Sequence, residues 1–149
     1  MVFIDTHCHL DASEFDANRA SVLADAAANH VEMMVVPAVH LSNFEIVTQI
    51  AQQNPHCVHA LGIHPMYVNQ SSAEDLQILA KLIESQMQTA QPPVAIGEIG
   101  LDFFVEGFDK DKQEFFFVEQ LKLAKQFELP VILHVRKSID DILKHLRQH

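Results

Sequence analysis

The chain has 149 residues, 48% of them apolar, and a formal net charge of −10. That is enough length and apolar content for one ordinary domain with a core, which excludes a disordered chain, and two cysteines exclude a disulfide framework. The acidic balance argues against a protein that holds nucleic acid on a broad basic surface, although eight of the ten basic residues (Lys110, Lys112, Lys122, Lys125, Arg136, Lys137, Lys144, Arg147) fall in the last third. No run is long and apolar enough to cross a bilayer and no secretory leader pattern opens the chain, so a cytoplasmic location is expected.

Five apolar, β-branched runs recur along the chain: Val2 to Ile4, Val31 to Val36, Val58 to Ile63, Val94 to Ile99 and Val131 to Val135. Helical patterns lie between them. The first is expected after Asp16, with Val22, Leu23, Ala26 and Ala27 on one face. Ser42-Asn43-Phe44-Glu45 has capping-box spacing and opens the second, and Ser71 to Asp75 repeats the signal before Leu76, Leu79, Leu82 and Ile83. That third helix should stop before Pro92-Pro93. Gly107 marks a turn. Asp111 to Glu114 is expected to cap a helix carrying Phe115, Val118, Leu121 and Phe127, and Ser138 to Asp141 a last one with Ile139, Ile142, Leu143 and Leu146.

Strict alternation of strand and helix predicts a parallel sheet with right-handed crossovers, either an open doubly wound sheet or the start of a (β/α)8 barrel. No Gly-rich phosphate loop follows the first strand, which disfavours the dinucleotide-binding form of the open sheet. Polar residues gather instead at the C-terminal ends of the strands: His7 and His9, His64, Glu98 with Asp102, and His134 with Arg136. A ring of that kind is what a barrel active site looks like in sequence.

Extended through Leu10, the first strand would put His7 and His9 on one face, with Asp5 beneath the imidazoles to orient one of them. Cys8 faces the other way and reads as packing. Glu98 alternates with Ile96 and Val94, so a carboxylate points the way core residues do, where a charge needs a partner such as a metal ion. His134 shares a face with Arg136 inside an apolar run. Singly, each could be a satisfied core residue, the better reading for a lone histidine; together with the first strand they suggest a site with one or two metals, where Glu98 could bridge. His64, between Gly62 and Pro65, stands where strand becomes loop and is suited to bind a phosphate oxygen or transfer a proton. The Phe115-Phe116-Phe117 run reads as helix core.

Asp5-Thr6-His7-Cys8-His9-Leu10, Gly62-Ile63-His64-Pro65, Gly97-Glu98-Ile99-Gly100-Leu101-Asp102 and Leu133-His134-Val135-Arg136, in this order, resemble the TatD family of metal-dependent deoxyribonucleases over the whole chain. The resemblance implies a (β/α)8 TIM barrel of the metal-dependent hydrolase type that cleaves DNA phosphodiester bonds, commonly from 3' ends, with a water activated by two divalent ions. It implies that His7 and His9 hold the first ion, that Glu98 bridges and serves catalysis, that His134 holds the second, and that His64 and Arg136 lie near the substrate. Mg, Mn and Zn all suit such ligands.

The family pattern continues through three more strands, bringing a further histidine and an aspartate as ligands, for which Asp102 is the one substitute in sight. Residues 1–149 are therefore expected to form a single, incomplete barrel domain of about (β/α)5, with open edges prone to self-association. Two other readings stay open: hydrolysis of an amide or lactone by the same kind of site, and an inactive fragment that binds metal or assembles with another chain.

Overall fold

The computed structural model describes residues 1–149. Five parallel strands alternate with five helices: β1 (Phe3–Asp5), α1 (Arg19–Ala28), β2 (Val31–Pro37), α2 (Phe44–Gln53), β3 (Cys57–Ala60), α3 (Ala73–Gln86), β4 (Ile96–Asp102), α4 (Lys110–Gln126), β5 (Val131–Arg136) and α5 (Ile139–Gln148). The expected alternation is present. The strands form two sheets, β1-β2-β3 and β4-β5, rather than one continuous arc, and no closed barrel. An isolated Leu61↔Ile96 bridge and single main-chain bonds such as Glu98 N–H to the Ala38 carbonyl join them. Gly62 and Gly97 explain the close approach there, since a Cβ on Gly62 would lie 2.8 Å from the Gly97 carbonyl carbon.

The core lies between the sheets and helices α2, α3 and α4. Phe44, Val47, Ile50 and Ala51 of α2 and Leu76, Leu79 and Ile83 of α3 recur at helical spacing and are buried. They meet Val36, Leu61, Ile96, Ile99 and Leu101 from the strands. Phe116 and Phe117 of α4 join this core, whereas Phe115 faces solvent. No helix is long and apolar enough to cross a membrane.

Several local expectations need correction. β1 ends at Asp5, so His7 and His9 stand beyond the strand rather than alternating within it. Asp5 is exposed, and its carboxylate accepts the His7 main-chain N–H (3.1 Å) rather than orienting an imidazole; this short side chain competes for the backbone and ends the strand. Before α2 the turn is closed by His40 and Asn43: Asn43 Oδ1 accepts the Val39 and His40 N–H groups (3.1 Å each), leaving Ser42 and Glu45 no capping role. Asp109, not Asp111, caps α4 by accepting the Lys112 N–H at 3.0 Å. Ser138 precedes α5 but is buried and donates to the Leu101 carbonyl at 2.7 Å, tying the α5 entrance to β4.

Candidate metal centre

β4 places Glu98, its third residue, at the middle of the site. Its main-chain N–H donates to the Ala38 carbonyl just past β2, and the residue is only 6% exposed. Imidazoles from three segments converge on its two oxygens. Oε2 lies 3.0 Å from His7 Nε2 and 3.4 Å from His9 Nε2; Oε1 lies 3.1 Å from His134 Nδ1 and 3.6 Å from His64 Nε2. The five residues form two groups, His7–His9–Glu98 and His64–Glu98–His134, whose donor atoms lie within 4.8 Å of one another.

The donor set fits cations. His7 Nε2 and His9 Nε2 are 3.2 Å apart while both face one carboxylate oxygen, an arrangement that a proton on one ring or a shared cation would bridge. Two donors held about 2.0–2.1 Å from a common ion at tetrahedral or octahedral angles stand about 2.8–3.4 Å from each other, a range that includes the spacing found here.

Hydrogen bonds divide the imidazoles into two kinds. His134 Nε2 meets Asp102 Oδ2 at 2.9 Å, so the proton of the neutral ring belongs on Nε2 and the Nδ1 lone pair is aimed at Glu98 and a cation. His64 is the reverse: its Nδ1 accepts the Met66 N–H (3.1 Å), which leaves the neutral ring with a proton on the Nε2 that faces Glu98. A ring so arranged donates a proton into the site rather than a lone pair to a metal. Proximity alone would make His64 a ligand, and its hydrogen bond argues otherwise.

Carboxylates set the electrostatics. Burial pushes the Glu98 carboxyl up, but its contacts with His134, His64 and His9 outweigh that and hold it well below the usual carboxylate range. His9 is pushed up to about 9 by Asp11 and Glu98 against the opposing effect of burial. His134 is raised by Glu98 and Asp102, again against burial. Asp102 itself is pushed up by burial and brought down further by the Phe104 N–H, His134 and the Val105 N–H, so it stays ionised.

Of the residues singled out from sequence, His7, His9, His64, Glu98 and His134 meet at one point. Arg136 does not join them; its guanidinium lies 3.8 Å over the exposed ring of Phe104, where Lys137 Nζ also sits at 4.4 Å. Asp102, considered as a spare ligand, instead touches the far side of His134. Asp11 was missed. Its Oδ1 stands 3.7 Å from His9 Nδ1, and Asn43 Nδ2 fixes its other oxygen at 2.7 Å. An acid two residues after a suspected ligand was the available signal. A cleft of about 460 Å³ opens beside Glu98, lined by His9, Asp11, Met66 and Tyr67 among others.

Comparison with known proteins places the chain in a family. The sequence pattern of the family described as "TatD related DNase" matches residues 4–149. The chain is 39% identical over 147 residues to the uncharacterised metal-dependent hydrolase YjjV of Escherichia coli, and 31% identical over 147 residues to YabD of Bacillus subtilis. Each match takes in 99% of this chain and 56% of the relative, so the chain spans little more than half the length of these proteins. The crystal structure of YjjV superposes with a TM-score of 0.92, again over 99% of this chain and 56% of that one. A TatD family hydrolase from Entamoeba histolytica gives 0.88 at 25% identity, covering 99% and 54%. With a family pattern matched from Ile4 to the last residue and a fold shared with its solved members, the chain belongs to the TatD-related DNase family.

Proposed function

We propose that the chain carries the metal-binding face of a hydrolase that cleaves DNA phosphodiester bonds, acting on single strands or 3' ends with two divalent ions (Mg, Mn or Zn). Residues 1–149 act as one domain. The observation that carries this reading is the division of labour on Glu98, whose two oxygens face two separate sets of imidazole nitrogens. His7, His9 and Glu98 Oε2 would hold one ion, and His134 Nδ1 with Glu98 Oε1 would contribute to the second.

Divalent ions at such a site supply Lewis acidity toward a phosphoryl oxygen and lower the pKa of water. The chain's own groups do the rest. His64 directs its Nε2 proton toward the site, placed to donate to a phosphate oxygen or leaving group. Asp102 keeps His134 in the tautomer that presents Nδ1. Arg136, with Lys137 beside it on Phe104, supplies cations and a planar surface for the strand beyond the reacting phosphate.

The test is calorimetric titration of the chain with Mn²⁺ beside Glu98→Gln, followed by hydrolysis of single-stranded oligonucleotides labelled at either end. Tight binding lost in the variant, with Mn²⁺-dependent shortening from the 3' end, is the expected result. Unchanged binding in Glu98→Gln, or efficient amide or lactone hydrolysis without phosphodiesterase activity, would reverse the assignment.

A second reading, assembly with another chain, is favoured by two exposed apolar rows: Val2, Phe3 and Ile4 on and beside β1, and Ile139, Leu143 and Leu146 at helical spacing on α5. Sedimentation velocity as a function of concentration tests it. A monomer at every concentration argues against self-association.

A further inference from the structure

Two glutamines of α4 make contacts that the metal-binding reading does not use. Gln113 and Gln120 are each 1% exposed, inside a helix whose other buried residues are mostly apolar. They are two turns apart and so lie on one face, about 10.5 Å apart along the axis. Each presents its carboxamide to one residue of a strand end. Gln120 Oε1 accepts the Ile63 N–H at 2.6 Å and its Nε2 donates to the Ile63 carbonyl at 3.0 Å. Gln113 Oε1 accepts the Asp102 N–H at 2.8 Å and its Nε2 donates to the Asp102 carbonyl at 3.0 Å.

The sheet gap explains why such contacts are needed. β3 and β4 part after the Leu61↔Ile96 bridge, so the main-chain groups of Ile63 and Asp102 that face the gap have no strand partner. Buried backbone donors and acceptors must be paired, and a carboxamide offers the same donor and acceptor that a neighbouring strand would. The residues held in this way matter to the site. The Ile63 carbonyl belongs to the peptide that leads into His64, whose own N–H donates to Val39 at 2.8 Å, so that peptide is gripped at both ends. Asp102 is the carboxylate that orients His134. His7 and His9 receive no contact from either glutamine.

We infer that Gln113 and Gln120 are positioning residues for one half of the centre: Gln120 sets His64, Gln113 sets His134 through Asp102, and the His7–His9 half is held independently. This inference rests on the proposed metal-centre reading, but its test needs no metal, so the two can fail separately. Nitrogen-15 imidazole spectra of the metal-free chain are recorded beside Gln113→Met and Gln120→Met, which keep volume and remove the polar contacts. Expected are a displaced His64 resonance in Gln120→Met, a displaced His134 resonance in Gln113→Met, and unmoved His7 and His9 in both. Spectra in which His64 and His134 stay in place, or in which His7 and His9 move equally, would overturn the inference.

Hydrogen exchange on the unsubstituted chain guards against variants that fail to fold. The Ile63 amide, although outside β3, should exchange about 100-fold or more slower than a free amide, together with the Gln113 and Gln120 carboxamide protons. Exchange at the free rate for any of these would equally overturn it.

Discussion

Asp102→Asn separates the role of a carboxylate from the shape of its side chain. In the native site Asp102 Oδ1 accepts the Phe104 and Val105 N–H groups at 2.9 and 3.2 Å, while Oδ2 takes His134 Nε2 at 2.9 Å. An asparagine fits the same space. With its oxygen kept on the two main-chain donors, its NH₂ must turn toward His134, where a donor would meet a donor. The ring relieves this by moving its proton to Nδ1, which then donates to Glu98 Oε1 across the existing 3.1 Å. Folding loses little, because the charge-assisted bond to Asp102 is exchanged for a neutral one from the asparagine and a charge-assisted one to Glu98, at a cost of about 1 kcal/mol. Metal binding loses much more, since the Nδ1 lone pair is gone. Loss of such an outer partner costs about 10- to 100-fold in affinity, or roughly 1.4–2.7 kcal/mol. Calorimetric Zn²⁺ titration should show that loss, and imidazole nitrogen shifts should show Nδ1 protonated in the variant. Unchanged affinity in a folded Asp102→Asn chain would refute the tautomer argument.

Other consequences of the structure can be measured directly. Gly100 has a φ of +145°, and a Cβ there would overlap the His134 carbonyl oxygen, so Gly100→Ala should cost about 3 kcal/mol or more by urea denaturation. Gly107 has a φ of +71° with nothing within 4 Å, and Gly107→Ala should cost only about 1–2 kcal/mol; equal losses at the two positions would remove the packing explanation. Stability with chelator present should be greatest near pH 6.5. His9, raised to about 9, contributes stability that is complete below its unfolded value of 6.5 and lost as pH rises through 9. His59 is lowered by burial, partly offset by its contact with Gln86, so the unfolded chain takes up its proton first and stability falls as pH drops below 6.5. His9→Ala should flatten the alkaline side of the urea-midpoint profile and His59→Gln the acidic side; variants that leave the profile unchanged count against these assignments.

The parts of the site written in local pattern could be read in advance. A carboxylate at Glu98 between core positions and a histidine at His134 within an apolar run are conflicts between burial and polarity, and the structure resolves both by bringing them together. His7 and His9 were legible as a pair, though for a reason that proved incomplete: they reach one oxygen of Glu98 from a segment beyond β1, not by strand alternation. Gln113 and Gln120 gave no such signal. A glutamine on a helix ordinarily faces water, and what places these two inside is the separation of β3 from β4, a fact of tertiary structure. Capping was misjudged at α2 for a similar reason, because Asn43 also has to fix Asp11 across 32 residues of chain.

The chain of contacts from Asp11 through His9, Glu98 and His134 to Asp102 also has a consequence for the order of events. It sets three carboxylates into a small volume of a chain whose net charge is already −10. Before any metal has arrived, His9, pushed up to about 9, offsets one of those charges, and a polyanion approaching this mouth still meets a net negative cluster on an acidic chain. The two divalent ions proposed above would bring four positive charges against those three negative ones and reverse its sign. Under the proposed two-ion reading, metal loading would therefore act as the admission step for a phosphate-bearing strand, and encounter rates measured against Mn²⁺ concentration should then follow site occupancy rather than bulk ionic strength.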